Sequence, residues 1–370
     1  MAPQLKRFFN AERAGQLADE LHAAWADFPR ARFVAEATQG LEALELMDRG
    51  AHLARAMRAC LPADFEQAVE VLLGSVGPVL GHVDGAGLAP FHYLPHLRFI
   101  ADHGLDHFEA SMRAQHALTQ RFSAEFSIRA FLEHDPERTL ARLSEWASDP
   151  NHHVRRLVSE GTRPRLPWAS RLERFQEDPT PTLALLERLK DDPELYVRRS
   201  VANHLNDIGK DHPDLLLAVA ERWMVDATPE RAWIVTHALR SSVKKGDPRA
   251  LAIRGFAGGD AVTVRTTVSP AEITLGETFL VQVELTNDGD APLRAVVDLV
   301  VRFVKANGVA KPKVFKGRDL ELAPGQRTTV TKSVSTADLS TRKHYPGEHV
   351  VDVQINGVVT RAGSVRVSAV

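Results

Sequence analysis

The sequence is short of cysteine, of aromatic residues and of uninterrupted apolar runs, and it carries no excess charge of either sign. Its one cysteine, Cys60, rules out an intramolecular disulfide and any metal site built from a cysteine cluster. A chain of this kind suits a reducing compartment, and Cys60 itself reads as buried packing. No segment approaches the roughly 20 apolar residues that span a bilayer. The amino terminus, MAPQLKRFFNAERAGQLADEL, is broken by charges before an apolar stretch of secretory length. A cytoplasmic protein without a membrane partner is therefore expected. The formal net charge is −2, from 46 Lys+Arg against 48 Asp+Glu, which excludes a surface coated in positive charge but not a local basic patch. Also missing are a Gly-rich phosphate loop, a Gly-x-Ser-x-Gly elbow and a cysteine nucleophile with a base.

What is present is a soluble, globular composition: 44% apolar and 25% charged residues over 370 positions, enough for two or three domains. The pattern changes abruptly near Gly258. Before it, apolar residues recur at helical spacing, as in the stripe Leu216, Val219, Ala220 and Trp223 or in Leu140, Leu143 and Ala147. After it, β-branched residues alternate with polar ones between turns such as LAPGQ and YPGEH. The expected architecture is multi-domain α plus β: a helical solenoid over residues 1–258, then an all-β immunoglobulin-like sandwich over 259–370.

The helical part repeats itself. SEWASDPNHHVRRLVSEG is followed by ERLKDDPELYVRRSVANH, with Asp149 and Asp192 separated by 43 residues. A fainter third copy sets Val235 and Leu239 against Val201 and Leu205 at a spacing of 34. Irregular periods near 40 suit two-helix repeats of the HEAT or armadillo kind, whose second helices line a face able to bind a long, curved partner. Each Asp-Pro is expected to supply a turn and a helix start.

Charge is concentrated in one window. Between Asn151 and Phe175 stand six arginines, Arg155, Arg156, Arg163, Arg165, Arg171 and Arg174, against two acids, Glu160 and Glu173. Arginine forks suit bidentate phosphate contacts, so the window reads as a backbone-binding track extended by Lys210, Arg240, Lys244 and Lys245. The plainer alternative is a set of arginines solvated or paired between repeats. Trp168 lies inside the window, between two prolines in TRPRLPWAS and off any apolar stripe. It is either a buried anchor or an aromatic platform for a sugar or base, whereas Trp146, Trp223 and Trp233 sit at helical positions and read as core. Glu160 aligns with Asn203 one repeat on, and Asp207 lies one turn beyond Asn203, so Glu160 and Asp207 should share a face. Two carboxylates among phosphate-binding arginines point to chemistry that needs negative charge, although Arg156 and Glu160 are also i, i+4 partners, and Glu125 lies at that spacing from both Arg121 and Arg129. The i, i+4 pairs His92–His96 and His103–His107 lack the glutamate of a zinc-protease helix and read as structural.

The blocks FSAEFSIR (122–129) and VRRLVSEGTRPRLPWA (154–169) resemble the AlkC branch of the AlkC/AlkD superfamily of HEAT-like-repeat alkylpurine DNA glycosylases. The resemblance extends over most of 101–254, and part of that branch carries an immunoglobulin-like domain. It implies excision of cationic N3-methylated purines, chiefly 3-methyladenine, from duplex DNA by hydrolysis of the N-glycosidic bond, with the lesion left stacked. It also implies that Glu125, Glu160 and Asp207 are the acidic residues, Trp168 the aromatic one and Arg156 a backbone contact. On this reading Glu125 and Glu160 stabilise an oxocarbenium-like sugar and place water, Asp207 supports the water and Trp168 faces the sugar. Arg155, Arg156, Arg163, Arg165 and Lys210 hold the double-stranded alkylated DNA. A monomer with no cofactor and no metal is expected, and the sandwich runs KANGVAKPKVFKGR and STRKHYPGEH are read as basic loops near DNA. The competing reading is a non-catalytic HEAT-repeat scaffold for DNA or protein.

Overall fold

A computed structural model describes residues 5–81, 87–256, 262–339 and 342–369. The helices are α1 (Ala11–Ala24), α2 (Arg30–Thr38), α3 (Leu46–Cys60), α4 (Phe65–Gly74), α5 (Leu94–His103), α6 (Phe108–Thr119), α7 (Ser127–His134), α8 (Pro136–Trp146), α9 (His152–Gly161), α10 (Glu173–Glu177), α11 (Thr180–Leu189), α12 (Leu195–Asp211), α13 (Pro213–Met224), α14 (Pro229–Ala238), α15 (Arg240–Lys244) and α16 (Pro248–Ile253). The strands are β1 (Val262–Ser269), β2 (Glu272–Thr274), β3 (Thr278–Asn287), β4 (Leu293–Val304), β5 (Ala310–Leu322), β6 (Arg327–Ser335), β7 (Gly347–Ile355) and β8 (Val358–Ser368). The break expected at Gly258 falls in 257–261, outside the described residues. By compactness the chain divides into Met1–His212 with Thr228–Ile234, and Pro213–Ala227 with Val235–Val370.

In the first unit helices pack in pairs, α1 on α2, α3 on α5, α4 on α6, α7 on α8 and α9 on both α11 and α12. The apolar stripes explain the pairing. Val154, Leu157 and Val158 of α9, and Val197, Val201 and Leu205 of α12, are all buried. Small residues at the contacts let the backbones approach: a Cβ added at Gly161 would stand 2.5 Å from Ile128 Cγ2, and the hydroxyls of Ser159 and Ser200 meet at 3.0 Å.

The Asp-Pro steps divide into two kinds. Asp135 and Asp247 cap α8 and α16, whose first residue is proline, through amides three residues on. At the two clearest repeats the helix begins at His152 and Leu195, two residues ahead of the Val-Arg-Arg step where it is expected. Asp149 Oδ1 accepts from Asn151 N at 2.7 Å and Asp192 Oδ1 from Glu194 N at 2.9 Å, so each aspartate closes a turn on its own backbone two residues on and the helix begins beyond it.

In the second unit the strands form two sheets, β1-β3-β6 and β2-β8-β7-β4-β5. Phe279, Val281, Val283 and Leu285 of β3 face Val297, Val301, Val351, Val353 and Val365 in one core, as the alternation predicts. The run KANGVAKPKVFKGR is not a loop throughout: Ala310–Leu322 is β5, an edge strand with most residues exposed. Its core-facing residues, Phe315, Leu320 and Leu322, are few and thrown out of alternation by an irregularity in the pairing with β4, so no regular apolar period marks the strand, and Pro312 is tolerated on the edge. Part of STRKHYPGEH, residues 340–341, lies outside the described residues.

The tight contact at Gly161 gives a test of the α7–α9 packing. Gly161→Ala should destabilise the protein by about 1–3 kcal/mol, since Ile128 must yield to the new methyl. A denaturant midpoint unchanged within error would contradict it.

Candidate functional site

A cavity of about 390 Å³ opens where the segment after α6, the start of α9, the loop after α9 and the start of α12 converge. Its wall includes Phe91, Phe122, Ser123, Glu125, His153, Arg156, Glu160, Trp168 and Tyr196. Three of the four residues proposed from sequence for the chemistry, Glu125, Glu160 and Trp168, are thus brought together, along with Arg156.

Their charges are ordered by one buried guanidinium. Arg156 Nη1 donates to Glu125 Oε2 at 2.5 Å and to Ser123 Oγ at 2.6 Å, while Nη2 stands 3.4 Å from Glu160 Oε1. The Arg156 guanidinium lies 5.0 Å over the Tyr196 ring. Burial opposes its charge, but Glu125 and Glu160 more than offset that and hold it protonated well above its ordinary value. Glu125 is therefore paired with Arg156 across 31 residues and not with its helical neighbours: Arg121 donates to the carbonyls of Gly77 and Ala117, and Arg129 to those of Gly161, Arg163 and Ser170. Glu125 Oε2 also accepts from Ser123 Oγ at 2.9 Å, and among the described residues Oε1 has no hydrogen-bond partner.

Glu160 is deeper. Its Oε1 accepts from Arg163 Nη1 at 2.7 Å and its Oε2 from Ser200 Oγ at 2.5 Å. Burial pushes this carboxyl up, yet the charges of Arg156 and Arg163 outweigh it and keep it ionised below its ordinary value of 4.5. Arg163 continues the chain, with Nε 2.8 Å from Asp207 Oδ2, and Lys210 Nζ donates to Asp207 Oδ1 at 2.7 Å. Glu160 and Asp207 do share a face, bridged by Arg163, but Asp207 is buried, has both oxygens engaged and is not part of the cavity wall. Behind them His204, pulled down to about 4 by burial, is a neutral imidazole whose Nδ1 donates to Ser159 O at 2.9 Å.

Trp168 is 67% exposed, so it is not a buried anchor, and its φ of 66° is in the left-handed region that tryptophan rarely adopts. Trp146 and Trp223 are buried. The arginine window is largely spent on inter-repeat pairing. Arg155 forks onto Asp192 (2.6 and 3.1 Å), Arg165 onto Asp211, and Arg163 is buried between Glu160 and Asp207. These arginines are thus paired between repeats, the plainer alternative read from the sequence: the acids come mostly from another repeat, 37 residues on for Asp192 and 44 for Asp207. The members of the His92–His96 pair are tied down individually, His92 Nε2 2.5 Å from Glu20 Oε2 and His96 Nε2 3.3 Å from Ser75 Oγ.

The sequence reading missed Tyr196, Ser123 and Ser200. A signal for Tyr196 was available, because the 43-residue period sets it opposite His153, and the two rings meet at 5.7 Å.

The comparisons agree over the whole length. The family described as DNA alkylation repair enzymes matches residues 117–240, and that described as the C-terminal Ig-like domain of the uncharacterised protein YhaZ matches 263–369. The chain is 37% identical to the uncharacterized protein YhaZ of Bacillus subtilis, over 96% of this chain and 97% of that one. It is similar to the structure of the Pseudomonas fluorescens alkylpurine DNA glycosylase AlkC bound to DNA containing an abasic site analog, with 40% identity, 99% of each chain covered and a TM-score of 0.89.

Glu160 provides a pH test whose sign follows from its lowered value. Its stabilisation is fully present above pH 4.5, the ordinary value, and is lost as pH falls through the lower folded value. Glu160→Gln should cost on the order of 3–5 kcal/mol at neutral pH by leaving Arg156 and Arg163 short of a counter-charge. It should also flatten the acid limb of stability below pH 4.5, measured by urea unfolding; an unaltered acid limb would contradict the assignment.

Proposed function

The chain belongs to the AlkC branch of the HEAT-like-repeat alkylpurine DNA glycosylases, and from that premise we propose that it hydrolyses the N-glycosidic bond of cationic N3-methylated purines in duplex DNA. Chief among these is 3-methyladenine, the product is an abasic site, and the lesion stays stacked. That it is a DNA repair glycosylase follows from its family; the substrate and the roles below are our reading. The observation that carries it is the pairing, in one cavity, of the Glu125 carboxylate with one oxygen free and the exposed Trp168 indole.

A purine already methylated at N3 is cationic and departs without a strong general acid, so the demand falls on the sugar, which becomes oxocarbenium-like. Glu125 is the carboxylate we assign to that developing charge and to the attacking water, with Oε2 fixed by Arg156 and Ser123 and Oε1 available. Trp168 supplies an aromatic face to the cationic sugar. Glu160 acts one step back, holding Arg156 and Arg163 in place while adding negative potential to the cavity wall. Asp207 supports Glu160 through Arg163 and does not touch the water. Lys210, the lysine that approaches this cluster, is engaged by Asp207, which favours water over an amine as nucleophile. For the DNA backbone we assign Arg165 and Lys210, of which Lys210 keeps 46% of its side chain exposed; Arg155, Arg156 and Arg163 act as braces beneath that surface. We place this chemistry in the helical domain, residues 1–258, and treat the sandwich over 259–370 as a separate domain.

Release of methylated bases from dimethyl-sulfate-treated duplex DNA tests the proposal. Wild-type protein should liberate 3-methyladenine in preference to neutral lesions, and binding of such DNA without release would sink the reading. Glu125→Gln should lower the single-turnover rate by about 100-fold, typical of removing one preorganised electrostatic group. Trp168→Ala should lower it by roughly 5- to 30-fold, the scale of a desolvated cation–π contact. Both should retain DNA affinity.

A further inference from the structure

The loop that carries Trp168 joins α9 to α10, and one side chain outside it touches it at three points. Arg129 of α7 is 3% exposed. Its Nη1 donates to Arg163 O at 2.7 Å and to Gly161 O at 3.2 Å, and its Nη2 donates to Ser170 O. The first two carbonyls lie where the chain leaves α9, and the third lies two residues beyond Trp168. A single rigid fork thus joins both ends of the 163–170 stretch. Burial pulls its guanidinium down to about 10, which leaves it charged at neutral pH. Among the described residues its hydrogen-bond acceptors are three main-chain carbonyls, and Glu133 and Glu125 act on it only through their charge. An arginine kept buried against carbonyls alone implies that the shape of that stretch is what it maintains.

That shape is unusual. Trp168 holds a φ of 66°, and a bulky residue stays in the left-handed region only where the surrounding structure over-determines it. Leu166 within the stretch and Leu172 just beyond it are buried at 4% and 2%, and the main-chain bonds are long, Ala169 N to Leu166 O at 3.4 Å and Leu172 N to Pro164 O at 3.3 Å. Such bonds are weak constraints. The Arg129 contact at 2.7 Å is shorter and charge-assisted, hence stronger. Arg129 lies in the FSAEFSIR block four residues after Glu125, so the segment that supplies the free carboxylate also supplies the tie for the indole.

We propose that Arg129 is the positioning residue for Trp168, clamping the 163–170 loop so that the indole stands out over the cavity beside Glu125. The proposal rests on the reading of Trp168 as the sugar platform. Arg129 itself touches neither sugar nor water.

Two measurements on the full chain test it. The first is a double-mutant cycle read by single-turnover 3-methyladenine release. Arg129→Met alone should slow release by about tenfold or more, in keeping with the cost of sub-ångström misplacement, and Arg129→Lys should recover part of the loss. In a Trp168→Ala background Arg129→Met should cost less than about twofold, because the group it positions is gone. An equal penalty in both backgrounds would show a general structural role and overturn the proposal. The second readout is independent of activity: hydrogen exchange in Arg129→Lys should accelerate at amides 163–170 and remain unchanged in α12. Unaltered exchange across 163–170 would overturn the clamp even where Arg129→Met fails to fold. If the wild-type protein released no methylated purine, the functional reading would fail while the exchange measurement still decided the clamp.

Discussion

The buried pairing of Arg156 with Glu125 and Glu160 is the constraint on which the rest of the site depends. Alone, each of these three groups is costly to bury: the desolvation of a charge exceeds what one imperfect pair returns. Together with Ser123, Ser200, Arg163, Asp207 and Lys210 they form a chain in which nearly every oxygen and donor is engaged. Such a network contributes little net stability compared with an apolar core. What it does provide is order. Glu125 is held by Arg156 and Ser123 through one oxygen, while the other has no hydrogen-bond partner among the described residues.

The network also explains why α9 and α12 approach so closely. Arg156, Glu160 and Arg163 project from α9 and the loop after it, whereas Ser200, Asp207 and Lys210 project from α12. Ser159 and Ser200 make room for the contact, and Ser200 then serves twice, by being small and by donating to Glu160. The repeat is thus more than a way to bury apolar stripes. It brings together side chains about one period apart in sequence, which neither helix could oppose within itself.

That separation decides what could be read from the sequence. Helical periodicity, the change to alternating strands near Gly258 and the Val-Arg-Arg repeat are local patterns, and the elements they predict are present. Glu125, Glu160 and Trp168 were legible because their blocks resemble a known family, and the cavity gathers them. The pairing of the arginine window was not legible for a physical reason: counting charges over 25 residues sees Arg155, Arg163 and Arg165 but not Asp192, Asp207 and Asp211, which lie one repeat away and pair with them. Helical i, i+4 logic failed at Glu125 for the same reason, since a partner 31 residues distant won over two at four. In the sandwich, β5 was lost because its few core-facing residues, Phe315, Leu320 and Leu322, fall out of alternation where its pairing with β4 shifts register. Tyr196 could have been found by applying the 43-residue period to His153, a step that uses the repeat as geometry and not only as a signature.

Charge balance around the cavity favours a cationic reacting group over an anionic one. Glu125, Glu160 and Asp207 are matched by Arg156, Arg163 and Lys210, so the cluster is formally neutral before anything enters it. Neutrality in sum is not neutrality in position. The arginines sit between the carboxylates, where their donors are consumed, and Glu125, with Oε1 unengaged among the described residues, is part of the cavity wall. A phosphate placed there would meet negative charge with no free fork to receive it, whereas a sugar gaining positive charge would meet a carboxylate already desolvated and oriented. Because Arg156 holds that carboxylate in place before the reaction, little reorganisation is needed as the charge develops, the condition under which electrostatic stabilisation favours the transition state over the ground state.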